Sequence, residues 1–179
     1  MLVIPRFYRG ILLSAVLSAT LLQLSCAASP SFDGAVYRAG AIVFRVGHMP
    51  PDWKRLDLAD ASLAFRDARR ASVLINAKCN ATDEDTPLAS LTAHLVMGTT
   101  EREYRAEETI PFDGREARHT VLGAKLDGVM MTYDIYVLKK DGCTYDLVYV
   151  APPNVFADGS AAFEGFATGF HTASGAASQ

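Results

Sequence analysis

Hydrophobic and polar residues change rhythm along the chain, and each change predicts an element. Ile11 to Leu24 (ILLSAVLSATLLQL) is a nearly unbroken apolar run behind Arg6 and Arg9, and the small residues Ser25, Cys26, Ala27 and Ala28 follow it. A basic flank, an apolar run and small residues, in that order, mark a secretory signal. The run falls short of the ~20 apolar residues that span a bilayer comfortably. Residues 1–25 are therefore expected to be a leader, 26–40 a linker, 41–171 one folded domain and 172–179 a disordered tail.

Within the domain the rhythm becomes that of strands. Ala41 to Val46 (AIVFRV) is rich in β-branched and aromatic residues and ends at Met49-Pro50-Pro51. Ser62 to Asp67 and Ala71 to Cys79 alternate, with Leu63 and Phe65, then Val73 and Ile75, on one face. The short link between these two predicts an antiparallel hairpin. Leu88, Leu91 and Leu95 then recur at helical spacing. Thr86 is expected as the N-cap and Pro87 as the first helical residue. The acids Asp83, Glu84 and Asp85 would then face the positive end of the helix dipole. Calcium is the competing use of these acids, but the run lacks the glycine and distal glutamate of an EF-hand loop.

Strand character returns at Tyr104–Ile110 and Glu116–Leu122, with a turn at Phe112-Asp113-Gly114-Arg115 and another at Asp127-Gly128. Val129 to Lys139 and Cys143 to Ala151 flank Asp141-Gly142, a pair suited to the positive φ angles of a type I′ hairpin. Tyr133, Ile135 and Val137 are expected on one face, with Tyr145, Leu147 and Tyr149 across from them. After Pro152-Pro153, Phe163, Phe166 and Phe170 lie three and four residues apart, as on one face of a helix over 156–170. Gly165 and Gly169 are expected to let that helix approach the sheet closely.

Two processing routes compete at the leader. Leu24-Ser25-Cys26 resembles the end of a bacterial lipobox, which would make Cys26 an acylated N-terminus, although Gln23 stands where such boxes carry an aliphatic residue. Ordinary cleavage after Ala27 or Ala28 would discard it, and an uncleaved N-terminal anchor is the third possibility. Either cleavage leaves Cys79 and Cys143, which an oxidising compartment favours as a disulfide. A catalytic thiol would need a histidine or asparagine pattern that accompanies neither cysteine.

The order of elements resembles the PsbP-like fold, shared by photosystem extrinsic proteins, a small eukaryotic Ran-binding protein and LpqN-type bacterial lipoproteins. Leu88 and Leu91, Gly114-Arg115-Glu116-Ala117, the Tyr133–Tyr149 hairpin and Phe163 to Phe170 carry the resemblance. It implies an α+β fold, an antiparallel sheet with helices packed on its faces. It also implies a binding or accessory role rather than an enzyme.

Charge and motifs narrow the function further. The chain has 17 basic and 20 acidic side chains, a net of −3, and loss of Arg6 and Arg9 leaves 15 basic residues. No basic stripe invites nucleic acid. His48, His94, His119 and His171 show no metal-ligand spacing, and no catalytic or cofactor motif appears. Asn80-Ala81-Thr82 matches a glycosylation sequon, which a bacterial lipobox would make accidental. The residues thus favour an envelope lipoprotein, held to the membrane by lipid and facing the periplasm, that binds or helps assemble an envelope protein or lipid. A soluble periplasmic or secreted form is the alternative address. Tyr133, Tyr145, Tyr149, Phe163, Phe166 and Phe170 serve either as plain core or as a binding face. In a second reading, sheet and C-terminal helix hold an apolar ligand such as a lipid between them. A third, a hydrolase, would require His94 or His119 to meet an acid and a nucleophile in one cleft.

Overall fold

The computed structural model describes residues 29–79 and 85–173. In chain order the strands are β1 (Ser31–Phe32), β2 (Val36–Ala39), β3 (Ile42–Arg45), β4 (Lys54–Leu56), β5 (Leu63–Arg66) and β6 (Ser72–Lys78). Helix α1 (Leu88–Leu95) precedes β7 (Thr99–Phe112), β8 (Arg115–Leu126), β9 (Val129–Lys140) and β10 (Cys143–Ala151). Helix α2 (Phe156–Thr168) and β11 (His171–Thr172) complete an α+β fold. The large antiparallel sheet runs β4-β5-β6-β10-β9-β8-β7, and the small one β1-β2-β3-β11.

The meander β7–β10 is built by three Asp-Gly turns. At 113–114, 127–128 and 141–142 both residues have positive φ, from 47° to 80°, as a type I′ turn requires. Each turn joins directly paired flanks, Phe112 with Arg115, Leu126 with Val129, and Lys140 with Cys143. This register corrects the expected sharing of faces. Tyr145, Leu147 and Tyr149 pair with Leu138, Tyr136 and Asp134, whereas Tyr133, Ile135 and Val137 pair with Val150, Val148 and Asp146. A two-residue loop sets odd positions of β9 opposite even positions of β10, so the two sets lie on opposite faces of the sheet.

One face carries the larger core. Tyr145, Leu147 and Tyr149 from β10 and Val73 and Ile75 from β6 meet Phe163, Phe166 and Phe170. Tyr37, Phe44 and Val46 of the small-sheet region close this core, and Trp53 joins it. On the other face α1 covers a smaller cluster of Leu91, Val96, Leu122, Ala124, Tyr133, Ile135 and Val137.

Several boundaries differ from expectation. The stretch 26–40, expected as a linker, supplies β1 and β2, and Tyr37 is buried against Phe44. Thr172, expected in the tail, lies in β11, and Ala173 N donates to Val43 O at 3.0 Å. Asp113 fastens this end: buried, it accepts from Lys140 Nζ at 2.9 Å and from the Thr172 amide at 2.8 Å. Those bonds hold its carboxyl below the ordinary range against the opposing pull of desolvation. Helix α1 starts one residue late, with Pro87 in the capping position and no acid in the first turn. The Pro87 carbonyl accepts from Ser90 and Leu91 instead of a Thr86 side chain capping the turn. Asp83, Glu84, the sequon, Cys26 and the leader lie outside the described residues.

The close approach expected of Gly165 and Gly169 is made to Gly47, beyond β3, and not to the large sheet. Gly47 N donates to Phe166 O at 2.9 Å, and a side chain on Gly169 would collide with Gly47 backbone. Gly165 has open space at its own Cβ position; a side chain on Gly47 would strike its carbonyl.

Cys79 and Cys143 form a disulfide across β6 and β10, one step beyond the Lys78–Thr144 pair. The bridge spans 64 positions of chain. Its reduction is expected to lower unfolding stability by about 4 kcal/mol in the chain-entropy account. Urea unfolding with and without reductant measures this, and an unchanged midpoint contradicts it.

Candidate functional site

The meander assembles one charged cluster that residue spacing alone did not reveal. Glu108 on β7, His119 on β8 and Tyr136 on β9 form one cross-strand row, with Asp134 one diagonal step away. His119 Nδ1 lies 3.0 Å from Glu108 Oε1, and Nε2 lies 2.8 Å from Asp134 Oδ1. Carboxylates only accept, so both ring nitrogens are best matched as donors, the imidazolium form. The Asp134 bond first, then Glu108, holds the His119 pKa above its ordinary value despite desolvation. The ring stacks on Tyr136 at 4.4 Å and 12°. Burial pushes the Tyr136 hydroxyl up to about 12, so it stays protonated near neutrality. His119 therefore meets acids and a neutral phenol. The signal was present in the turns: counting back from Asp113-Gly114 and Asp127-Gly128 puts Glu108, His119 and Tyr136 in register.

The other sequence-derived candidates separate. His94 stands exposed on α1, and His171 pairs with Asp113 at 3.0 Å. Tyr145, Tyr149, Phe163, Phe166 and Phe170 come together, but inside the sheet–helix interface. Their rings meet at 5.3 Å for Tyr145–Phe170 and 5.5 Å for Tyr149–Phe163, and Phe166 meets Phe65 at 5.5 Å. The space expected to hold an apolar ligand is thus filled by side chains touching one another. Tyr149 also donates its hydroxyl to Phe156 O at 2.8 Å, pinning the start of α2.

Tyr133 lies on the other face, beside a hollow. Leu74, Val148 and Ile135, directly paired across β6, β10 and β9, form its floor. Leu95 of α1 and Asp60-Ala61 of the β4–β5 loop form its walls, Tyr133 lines it from β9, and Asn76 and Asp146 form the next cross-strand row. The cavity measures about 200 Å³. Helix α1 is only eight residues long and packs on β8 and β9, so the β6–β10 part of this face is only partly covered, with Leu74 and Val148 half-buried. The hydroxyl of Tyr133 is buried and has no hydrogen-bond partner among the described residues. Leu95, Met97, Leu126 and Val129 are exposed beside the hollow or along the same face. Met97, in the turn after α1, is 65% exposed. A larger groove of about 1210 Å³ lies beyond Asp60-Ala61, lined by Ser29, Pro30, Tyr37, Arg55 and Lys78 among others. Its mixed polar lining lacks the continuous apolar floor of the smaller hollow.

Arg102 holds α1 and its following turn in place. Its Nη2 donates to the carbonyls of Val96 at 2.6 Å and Thr99 at 2.9 Å, and its Nε to Thr99 Oγ1 at 2.9 Å. This positions Leu95 in the wall of the hollow and fixes the turn that carries Met97.

No known protein family and no curated protein matches the sequence. Solved structures do. LpqN of Mycobacterium tuberculosis, involved in cell envelope biogenesis, superposes with a TM-score of 0.55 at 11% identity, over 80% of this chain and 89% of that one. Cyanobacterial PsbP from Synechocystis gives 0.50 at 14% identity, over 84% of this chain and 99% of that one. The chain has a PsbP-like fold. A Bacteroides thetaiotaomicron protein also matches, with a TM-score of 0.51 at 11% identity, over 73% of this chain and 45% of that one. Within this PsbP-like domain, no described helix is long and apolar enough to cross a membrane. No described group of three or more His, Cys, Asp or Glu side chains is placed to hold a metal ion.

The raised His119 pKa has a definite sign in stability. The imidazolium contribution is fully present below the unfolded value of about 6.5 and is lost as pH rises through the higher folded value. Urea midpoints taken from pH 6 to pH 9 are expected to fall by more in the native protein than in His119→Gln. The difference should be on the order of 1 kcal/mol, the scale of a partly solvated charged hydrogen bond. Parallel profiles contradict the assignment.

Proposed function

We propose that this chain is an exported, non-enzymatic accessory protein of the cell envelope, tethered by lipid at Cys26, that binds another envelope component through its α1 face. The observation that carries the reading is the open hollow on that face, with Leu95 exposed in its wall. On the opposite face Phe163, Phe166 and Phe170 pack against Tyr145, Leu147 and Tyr149, and the larger groove at its edge beside Tyr37 has a mixed polar lining. A disulfide persists in oxidising compartments, which supports an address outside the cytoplasm. The leader and the lipobox-like Leu24-Ser25-Cys26 support the same address. LpqN, whose fold it shares, is involved in cell envelope biogenesis.

Binding through a prearranged apolar surface requires no reacting group. His119 neighbours a protonated tyrosine and two acids rather than a nucleophile. Its role in this reading is to tie β7, β8 and β9 together as a platform.

Photo-crosslinking in intact cells tests the reading. A benzophenone amino acid in place of Leu95 is expected to capture a discrete envelope partner, while the same group in place of Ala161 on α2 captures none. Cys26→Ser should move the protein from the membrane fraction to the soluble periplasmic fraction. Equal labelling from both positions, or a native protein that fractionates with the cytosol, overturns the proposal.

A further inference from the structure

The size and charge of the hollow define what enters it. At about 200 Å³ it is smaller than the ~300–1,000 Å³ of pockets that enclose whole drug-sized ligands. It exceeds the ~150 Å³ that accommodates a benzene ring. One large side chain fits these limits, and a whole lipid does not. Its walls are apolar at Leu74, Leu95, Ile135 and Val148, while its described lining carries one exposed carboxylate, Asp60, and neither lysine nor arginine. A cation beside the inserted group would meet complementary charge at the rim.

We infer that the hollow is an anchor pocket for a polypeptide segment in which a large apolar or aromatic side chain is flanked by lysine or arginine. The inference rests on the binding reading above and names its partner chemistry. The anchor lies over the Leu74–Val148–Ile135 row, where strands on both sides hold the floor rigid. Central, desolvated anchors of this kind carry most of the affinity in protein interfaces. Asp60, exposed in the β4–β5 loop, supplies steering and orientation for the flanking cation. Leu95, exposed in the wall, extends the apolar contact toward the opening.

Full-length protein, purified from membranes in detergent, provides the test. Fluorescein-labelled Gly-Ser-Lys-Phe-Lys-Ser-Gly is expected to bind saturably by fluorescence polarisation. In methyl NMR it should shift Leu74, Leu95, Ile135 and Val148 while leaving Leu147 still. Replacing both lysines by glutamate, or the phenylalanine by serine, should weaken binding by roughly tenfold or more, since each removes a complementary contact. Asp60→Asn should cost about threefold, the scale of one exposed ion pair, and Leu95→Ser more. Both positions are exposed, and an unchanged melting temperature confirms the fold of each variant.

Equal binding of the glutamate peptide overturns the charge argument. Binding of phosphatidylglycerol vesicles through the same methyls, with no peptide binding, replaces the polypeptide by a lipid surface and also overturns the inference. A partner captured at Leu95 whose crosslinked segment lacks a cation leaves the binding reading standing and removes this one. Failure to capture any partner removes the binding reading itself.

Discussion

Two-residue turns hold this protein to one arrangement. Asp-Gly recurs at 113, 127 and 141, and at each site both residues adopt positive φ. An aspartate followed by glycine tolerates that backbone at low cost, and the resulting twist matches the twist of the strands it joins. With the loop length fixed, no strand of β7–β10 can slide. A one-residue slip would exchange every side chain between faces and would bring Asp146 and Val148 into the aromatic core in place of Leu147 and Tyr149. The disulfide extends the same register from β10 into β6, so the centre of the sheet is pinned at both turn and bridge.

Functional asymmetry follows from that pinning. One face meets α2 and the small sheet, and its rings pack against one another at 4.9 to 6.2 Å. Interiors of this kind are close-packed and resist insertion of a ligand. The other face meets a helix of two turns that leaves β6 and β10 partly open. Half-buried Leu74 and Val148 leave part of that face's apolar area in contact with water, a cost that further cover would relieve. Arg102 keeps the short helix seated without lengthening it, by gathering the carbonyls at its end.

Much of the fold was legible where one residue type dictates local geometry. The Asp-Gly turns, the alternation in β5, β6 and β10, and the Phe163–Phe166–Phe170 stripe of α2 all appear at their expected places. Elements held by distant partners were not legible. β1, β2 and the turn between them carry Ser31, Asp33, Gly34 and Arg38, with no sustained apolar run, and depend on β3, which β11 pairs from the far end of the chain. β7 is longer than its apolar pattern suggests, because it is exposed along most of its length and is held chiefly by its ladder to β8. The His119 cluster draws on three strands, with its acids on β7 and β9, and needs two registers combined. The hollow beside Tyr133 is a matter of helix length and loop placement, which residue types do not encode directly. The binding face read from sequence joined Tyr133 to five residues that lie across the sheet from it, an error of one position in register.

Hydroxyl-radical footprinting of the intact, oxidised protein addresses the central claim that one face of the sheet is filled and the other open. With each rate normalised to the unfolded chain, Tyr145, Tyr149, Phe163, Phe166 and Phe170 should be strongly protected. Leu95, Met97, Leu126 and Val129 should react at close to unfolded rates. Protection of both sets alike, or faster oxidation of the α2-face rings than of Leu95 and Met97, would contradict the account.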